Sequence, residues 1–428
     1  MFKKLSELYG SKLVRKGVAT FLVRSFGLFV NYVWNVLMAR TLKTYDYGII
    51  SITNIVLNFF YLVGKYGFDI VALKLISPDR VDKDSRRTYN LLLVFVLVFS
   101  AVASILLFFT SSFIAVTVFS KPHMSYYFKI ISISLPFMAT IYLNAEVLRA
   151  KREAIKYSVL EYVLVPLFGL VTLLISFGGW MNARYMTFLL ILCYFLTSVV
   201  SFWMVYEKIG FSLDFDKFNN KQYKRLLRLA TPFFLGTVIS FFMNWIDRII
   251  ISSYGTEEDA AIYGIAAKIA ILVNLPIDVL GTIFVPFFAD YYKNKEYGKL
   301  NDLVRKVMSI SIVVSVPFFI LFVIFPTLFL GIFGTEYLRA ANTLRILALA
   351  NLSIALTDPV GGLMQMTNKH KIFTTSILLC AVMNLVLSML FVPKFGYIGA
   401  ASTTAFSYIV WRVWGLFYIK KKLKIKIV

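Results

Sequence analysis

TYNLLLVFVLVFSAVASILLFFTSSFIAVTVFS, residues 88–120, runs for thirty-three positions without a charged side chain. A helix needs roughly 20 apolar residues to cross a bilayer, so this stretch alone is long enough. Residues 185–206, 307–335 and 372–393 are also free of charge. In hydrocarbon a backbone must satisfy its own hydrogen bonds, which leaves helices or closed barrels. Barrel strands read as short alternating segments, and these runs do not alternate. The whole chain follows suit: 428 residues, 59% hydrophobic and 17% aromatic. The fold expected is an all-α membrane protein.

Working outward, the pattern predicts about twelve transmembrane helices. They fall near 17–40, 48–76, 88–109, 126–148, 157–177 and 184–206, then near 229–252, 260–289, 304–326, 344–366, 372–392 and 396–419. Of the 45 Lys and Arg, thirty-two lie on alternate connections and termini, eight on the remaining connections and five inside spans. Loops rich in Lys and Arg stay cytoplasmic, so both termini are expected inside, in the cell inner (cytoplasmic) membrane. The net charge of +23 is scattered over these span ends and forms no nucleic-acid module. Contact with anionic membrane lipids accounts for it.

The basic connection 207–225 divides the chain into an N-terminal lobe, 1–206, and a C-terminal lobe, 226–428, of six spans each. The lobes echo one another. Tyr47-Gly48 answers Tyr263-Gly264, Phe119 answers Phe333, and Lys151-Arg152 answers Lys369-His370, at offsets near 216. That spacing reads as a parallel duplication, with a binding site expected between the lobes.

Ionisable side chains inside spans are costly and mark functional cavities. Arg24, Lys65, Arg248 and Lys268 are the candidate substrate-binding cations. Asp69, Asp247, Asp278 and Asp358 are candidates to carry a coupling proton or Na⁺. Several also admit a local role. Lys65 and Asp69 stand i,i+4 and can neutralise each other, Arg412 can snorkel to its span end, and Asp358 precedes the helix-breaking Pro359. Glu146 and Glu161 sit nearer the ends of their spans. Cys193 and Cys380 read as small buried apolar residues, and His123 and His370 as loop histidines without metal-ligand spacing. There is no Walker-type phosphate loop and no sizeable loop to carry catalytic groups. No enzyme activity and no cofactor are expected.

Longer motifs carry a resemblance. DRIIISSY at 247–254 with AAIYGIAAK at 260–268 resembles the span 7–8 signature of Wzx-type polysaccharide transporters of the MOP superfamily. VPFFA at 285–289, IFGTEY at 332–337, PKFGYIGAA at 393–401 and, early on, ARTL at 39–42 with YDYG at 45–48 are similar to further family motifs. The resemblance implies two six-helix lobes in a MATE-like arrangement. It also implies a flippase that carries a polyprenyl-diphosphate-linked oligosaccharide, an O-antigen or related unit, to the outer leaflet by alternating access. A polysaccharide polymerase is a candidate partner. The alternative is a MATE-type drug/cation antiporter. That reading calls for an acid in span 1, where this chain carries Arg24.

Overall fold

The computed structural model describes residues 11–76, 83–176, 181–210, 220–274, 296–366 and 370–422, with Phe288, Tyr291 and Asn294. The described chain is helical from end to end. Two compact units divide it, Met1–Ser240 and Phe241–Val428.

In the first unit, α1 is Ser11–Thr41, α2 Thr44–Lys65, α3 Phe68–Leu75 and α4 Lys83–Phe113. α5 is Met124–Ile131, α6 Leu135–Ala150, α7 Ala154–Ser158, α8 Leu164–Ile175 and α9 Ala183–Ile209. α10, Asn220–Tyr254, begins in the first unit and ends in the second. The second unit continues with α11 at Glu257–Ala270, α12 at Tyr297–Ile324, α13 at Pro326–Gly331, α14 at Ala341–Met366 and α15 at His370–Lys422.

Ten helical segments among the described residues are long and apolar enough to cross a membrane. Nine of them coincide with expected spans 1–7, 9 and 10. The tenth, Thr375–Gly415, covers expected spans 11 and 12 together. Expected span 8 is described only over its first half. A straight helix of 53 residues would measure about 80 Å, far more than a bilayer of about 30 Å. α15 is instead a hairpin that turns at Gly396, with φ 56° and ψ −138°. Three contacts bind its arms in antiparallel register. Trp411 Nε1 donates to Ser376 Oγ at 3.0 Å, the Cys380 thiol to the Ser407 carbonyl at 3.3 Å, and Ser388 and Thr403 share a hydroxyl contact of 2.8 Å. Gly399 permits the tight turn, because a Cβ there would lie 2.7 Å from the Phe391 carbonyl.

The packing is that of a protein whose solvent is lipid. Large apolar side chains such as Phe109, Ile175 and Leu379 face outward, at 78%, 79% and 64% exposure. Between helices lie small and hydroxylated residues, which let backbones approach and hydrogen-bond across. In the first unit Tyr89 donates to Asn144 at 2.9 Å, Asn144 to Ser201 at 2.8 Å, and Thr140 meets Ser198 at 2.9 Å. This buried network is fully paired, and it ties α4, α6 and α9 together.

Expected span 2 does not run through. It breaks between α2 and α3 at Tyr66 (φ 43°) and Gly67 (φ 79°), both in the left-handed region. The reason is tertiary. The Tyr66 ring stacks on Phe234 with centroids 4.6 Å apart, and its hydroxyl lies 3.3 Å from Thr231 Oγ1. Gly67 presses so closely on α10 that a Cβ would sit 2.9 Å from the Ala230 carbonyl.

Candidate functional site

Among the described residues, two clusters of charged and aromatic side chains occur within the spans, one in each unit. The first gathers around the broken helix. Lys65 Nζ and Asp69 Oδ2 form a 2.8 Å ion pair across the break, with side chains only 12% and 7% exposed. The Lys65 ammonium also lies 5.0 Å from the Tyr61 ring and 5.9 Å from that of Tyr142. These two rings are themselves 4.7 Å apart. Cations over aromatic faces in a dry setting are held firmly.

Arg24 enters the same cluster from α1. Its Nε donates to Ser158 Oγ at 3.2 Å, and its guanidinium lies 5.7 Å and 5.4 Å from the Tyr157 and Tyr162 rings. Glu161 sits in a π-helical turn, Val159–Val163, a distortion that frequently accompanies function. Glu161 lies within the field of Glu146, Lys65, Asp69 and Arg24. Glu146 pairs with Arg149 at 3.3 Å, and the Arg149 guanidinium lies 5.4 Å from the Tyr157 ring. Among the described residues, three cations thus meet three carboxylates in this cluster.

The second cluster is built on α10, α11 and α15. Asp247 is buried with both oxygens engaged. Oδ1 accepts the Arg248 backbone N–H at 2.8 Å, and Oδ2 accepts a short hydrogen bond from the Tyr263 hydroxyl. The Arg248 guanidinium lies over Trp245 at 4.7 Å, and its buried Nε has no partner among the described residues. Lys268 lies within the field of Arg248. Tyr408 stands within that of Asp247, Arg248 and Arg412, and Arg412 covers its neighbour Trp411 at 4.2 Å. Among the described residues, three cations face one acid. Near the end of the described part of span 8, Asn274 donates to Asn351 at 2.7 Å.

The structure therefore brings Arg24, Lys65 and Asp69 together, and separately Asp247, Arg248 and Lys268. Asp278 lies outside the described residues. Asp358 lies in α14, but its side chain is outside the described part. Sequence reading set Glu146 and Glu161 aside as span-end residues and gave no role to Tyr61, Tyr142, Tyr157 or Tyr162. Their spacing held a signal, since Tyr142 and Glu146, and likewise Tyr157 and Glu161, stand i,i+4 on one helix face.

Transporters of the MOP superfamily are among the solved structures of similar fold. An inward-facing MATE-family multidrug resistance transporter superposes with a TM-score of 0.75 at 14% identity, over 96% of this chain and 99% of that one. The lipid II flippase MurJ in an inward closed conformation does so with a TM-score of 0.75 at 17% identity, over 94% and 87%. The class is thus a multi-pass membrane protein with the MOP fold. The profile of the family described as "Polysaccharide biosynthesis protein" matches residues 37–342, and the chain belongs to that family.

Among its relatives, the probable low-salt glycan biosynthesis flippase Agl15 of Haloferax volcanii is 24% identical over 51% of this chain and 46% of its own length. The capsular polysaccharide biosynthesis protein CapF of Staphylococcus aureus is 24% identical over 55% and 59%. A putative O-antigen transporter of Shigella flexneri is 25% identical over 42% and 43%. The chain spans about half the length of the curated relatives it matches.

Proposed function

We propose that this protein is a flippase. Its substrate is a polyprenyl-diphosphate-linked oligosaccharide, an O-antigen or related surface-polysaccharide unit, which it carries from the cytoplasmic to the outer leaflet by alternating access. A diphosphate cannot enter hydrocarbon without replacing its water, because desolvated charge is expensive. The observation that carries the reading is Arg248. Its acidic neighbour Asp247 is already committed to Tyr263 and to a backbone N–H, so the guanidinium and its unpartnered Nε remain for an anion. Arginine meets phosphate with a planar fork of donors, and Lys268 lies within the field of Arg248.

Arg24 and Lys65 are further diphosphate candidates, although Lys65 already has a counter-ion in Asp69. Asp69, Asp247, Asp278 and Asp358 are the carboxylates we propose for proton or Na⁺ coupling. The same reading divides the chain into lobes 1–206 and 226–428 joined by 207–225, and delivers the flipped unit to a polymerase. A cationic drug fits the second cluster poorly, because three cations there would repel it.

Mass spectrometry of lipids copurified with the protein tests the proposal. A polyprenyl-diphosphate glycan is expected; an exported cationic drug without such a lipid would favour the antiporter. For orientation, cysteines introduced at 256–259 should react with an impermeant reagent outside the cell and those at 219–222 should not. Reversed labelling would overturn cytoplasmic termini.

A further inference from the structure

The broken span 2 carries polar atoms that neither its ion pair nor its packing uses. The last helical bond before the break runs from Tyr66 N to Leu62 O at 3.1 Å, and the first after it from Val71 N to Gly67 O at 3.2 Å. Between them the final carbonyls of α2 and the first N–H groups of α3 leave the ladder. Discontinuous spanning helices place such groups at transporter binding sites, since irregular backbone at membrane depth is tolerated where it lines a cavity or is buried in protein. Two side-chain atoms converge on the same break. Tyr61 Oη and Asp69 Oδ1 are both buried and have no hydrogen-bond partner among the described residues, and both residues are 5% exposed. Buried polar atoms of this kind need a partner. Lys65, which contacts both residues, is itself held by Asp69 Oδ2.

What would pair with them follows from the charge. With three cations against three carboxylates around the break among the described residues, the cluster offers a diphosphate less excess positive charge than the second unit does. It offers a carboxylate acceptor, a phenolic hydroxyl that can donate or accept, and the paired rings of Tyr61 and Tyr142. A neutral polyol matches that set: its hydroxyls bond to carboxylate and phenol while its C–H faces lie on aromatic rings.

We propose that Tyr61 and Asp69, backed by Tyr142, form a subsite that reads sugar hydroxyls of the cargo, distinct from the cations of the second unit. This rests on the flippase reading above. The full-length protein in nanodiscs, assayed by native mass spectrometry, tests it with two probes: bare undecaprenyl diphosphate, and lipid-linked glycan extracted from the membranes of the source organism. Wild type is expected to retain the glycosylated lipid over the bare one. Y61F, which keeps the ring, should cut that preference about two- to tenfold and leave binding of the bare lipid unchanged. D69N should cut the preference for the glycosylated lipid as much or more. Its removal of the Lys65 counter-ion is controlled by comparing thermal unfolding with wild type. Equal weakening of both probes in Y61F, an unchanged ratio, or a wild type that does not discriminate would each overturn the subsite. A wild type that retains neither lipid would instead bring down the flippase reading itself.

Discussion

The two units build the same joint from different chemistry. In the first, Tyr47 at the start of α2 donates from its hydroxyl to Asn35 Oδ1 on α1, at 3.4 Å. In the second, Tyr263 on α11 donates to Asp247 Oδ2 on α10. The tyrosines stand 216 positions apart, the offset read from the sequence, and their acceptors are 212 apart. One acceptor is a neutral amide and the other a carboxylate. The clusters differ likewise, balanced around Lys65 and Asp69 but in cationic excess around Arg248 among the described residues. Both units keep a hydroxyl contact that ties one span to the next, while the charges around it differ.

The largest expected effect tests whether the first cluster is truly balanced. Lys65→Met strands Asp69 at 7% exposure. Breaking a buried pair by removing one partner costs about 3–5 kcal/mol. K65M should therefore unfold at a clearly lower temperature in detergent, and K65M/D69L should recover most of the loss. A single variant as stable as wild type would mean that the pair is solvated and the cluster is not the closed, self-neutralised one described.

A smaller effect tests the cationic excess. Arg248→Ala should lower export by about ten- to hundredfold, the value of a charge-assisted contact of about 1.5–3 kcal/mol. R248K should keep part of the activity, since charge persists without the fork. Arg24→Ala should cost less, because carboxylates in its cluster already offset its charge. Restoration of surface polysaccharide at matched protein levels is the measurement. An Arg24 variant as damaged as the Arg248 variant would erase the distinction between the clusters.

Much of this was legible in the sequence, and the unread part has one physical cause. Long uncharged runs such as 88–120 announce spanning helices, and PKFG at 393–396 announces the turn of the α15 hairpin. The same reading carried span 2 unbroken from 48 to 76. Nothing local at Tyr66 forces a left-handed backbone. The break is imposed by Phe234 and Thr231, which lie more than 160 positions away, and by the close pass of Gly67 against Ala230. Lys65 and Asp69 could be paired from their spacing alone. That Glu161 joins them could not, because its placement depends on the π-helical turn at Val159–Val163.

The finest test of the comparison lies in the two tyrosines. Tyr47→Phe removes a hydroxyl from a neutral acceptor across a long 3.4 Å contact, and a neutral hydrogen bond contributes about 0.5–1.5 kcal/mol. Tyr263→Phe removes the donor from a buried carboxylate, where hydrogen bonds are worth about 1.5–3 kcal/mol. Y263F should therefore be the more destabilised of the two by about 1 kcal/mol or more. In the double variant Y263F/D247N, the asymmetry should shrink toward the Y47F value, because the acceptor is then an amide in both units. Chemical denaturation of the four proteins in one detergent reads this directly. Equal losses in Y47F and Y263F would mean that the Asp247 charge is already met by other groups, and that the two joints differ in sequence without differing in energy.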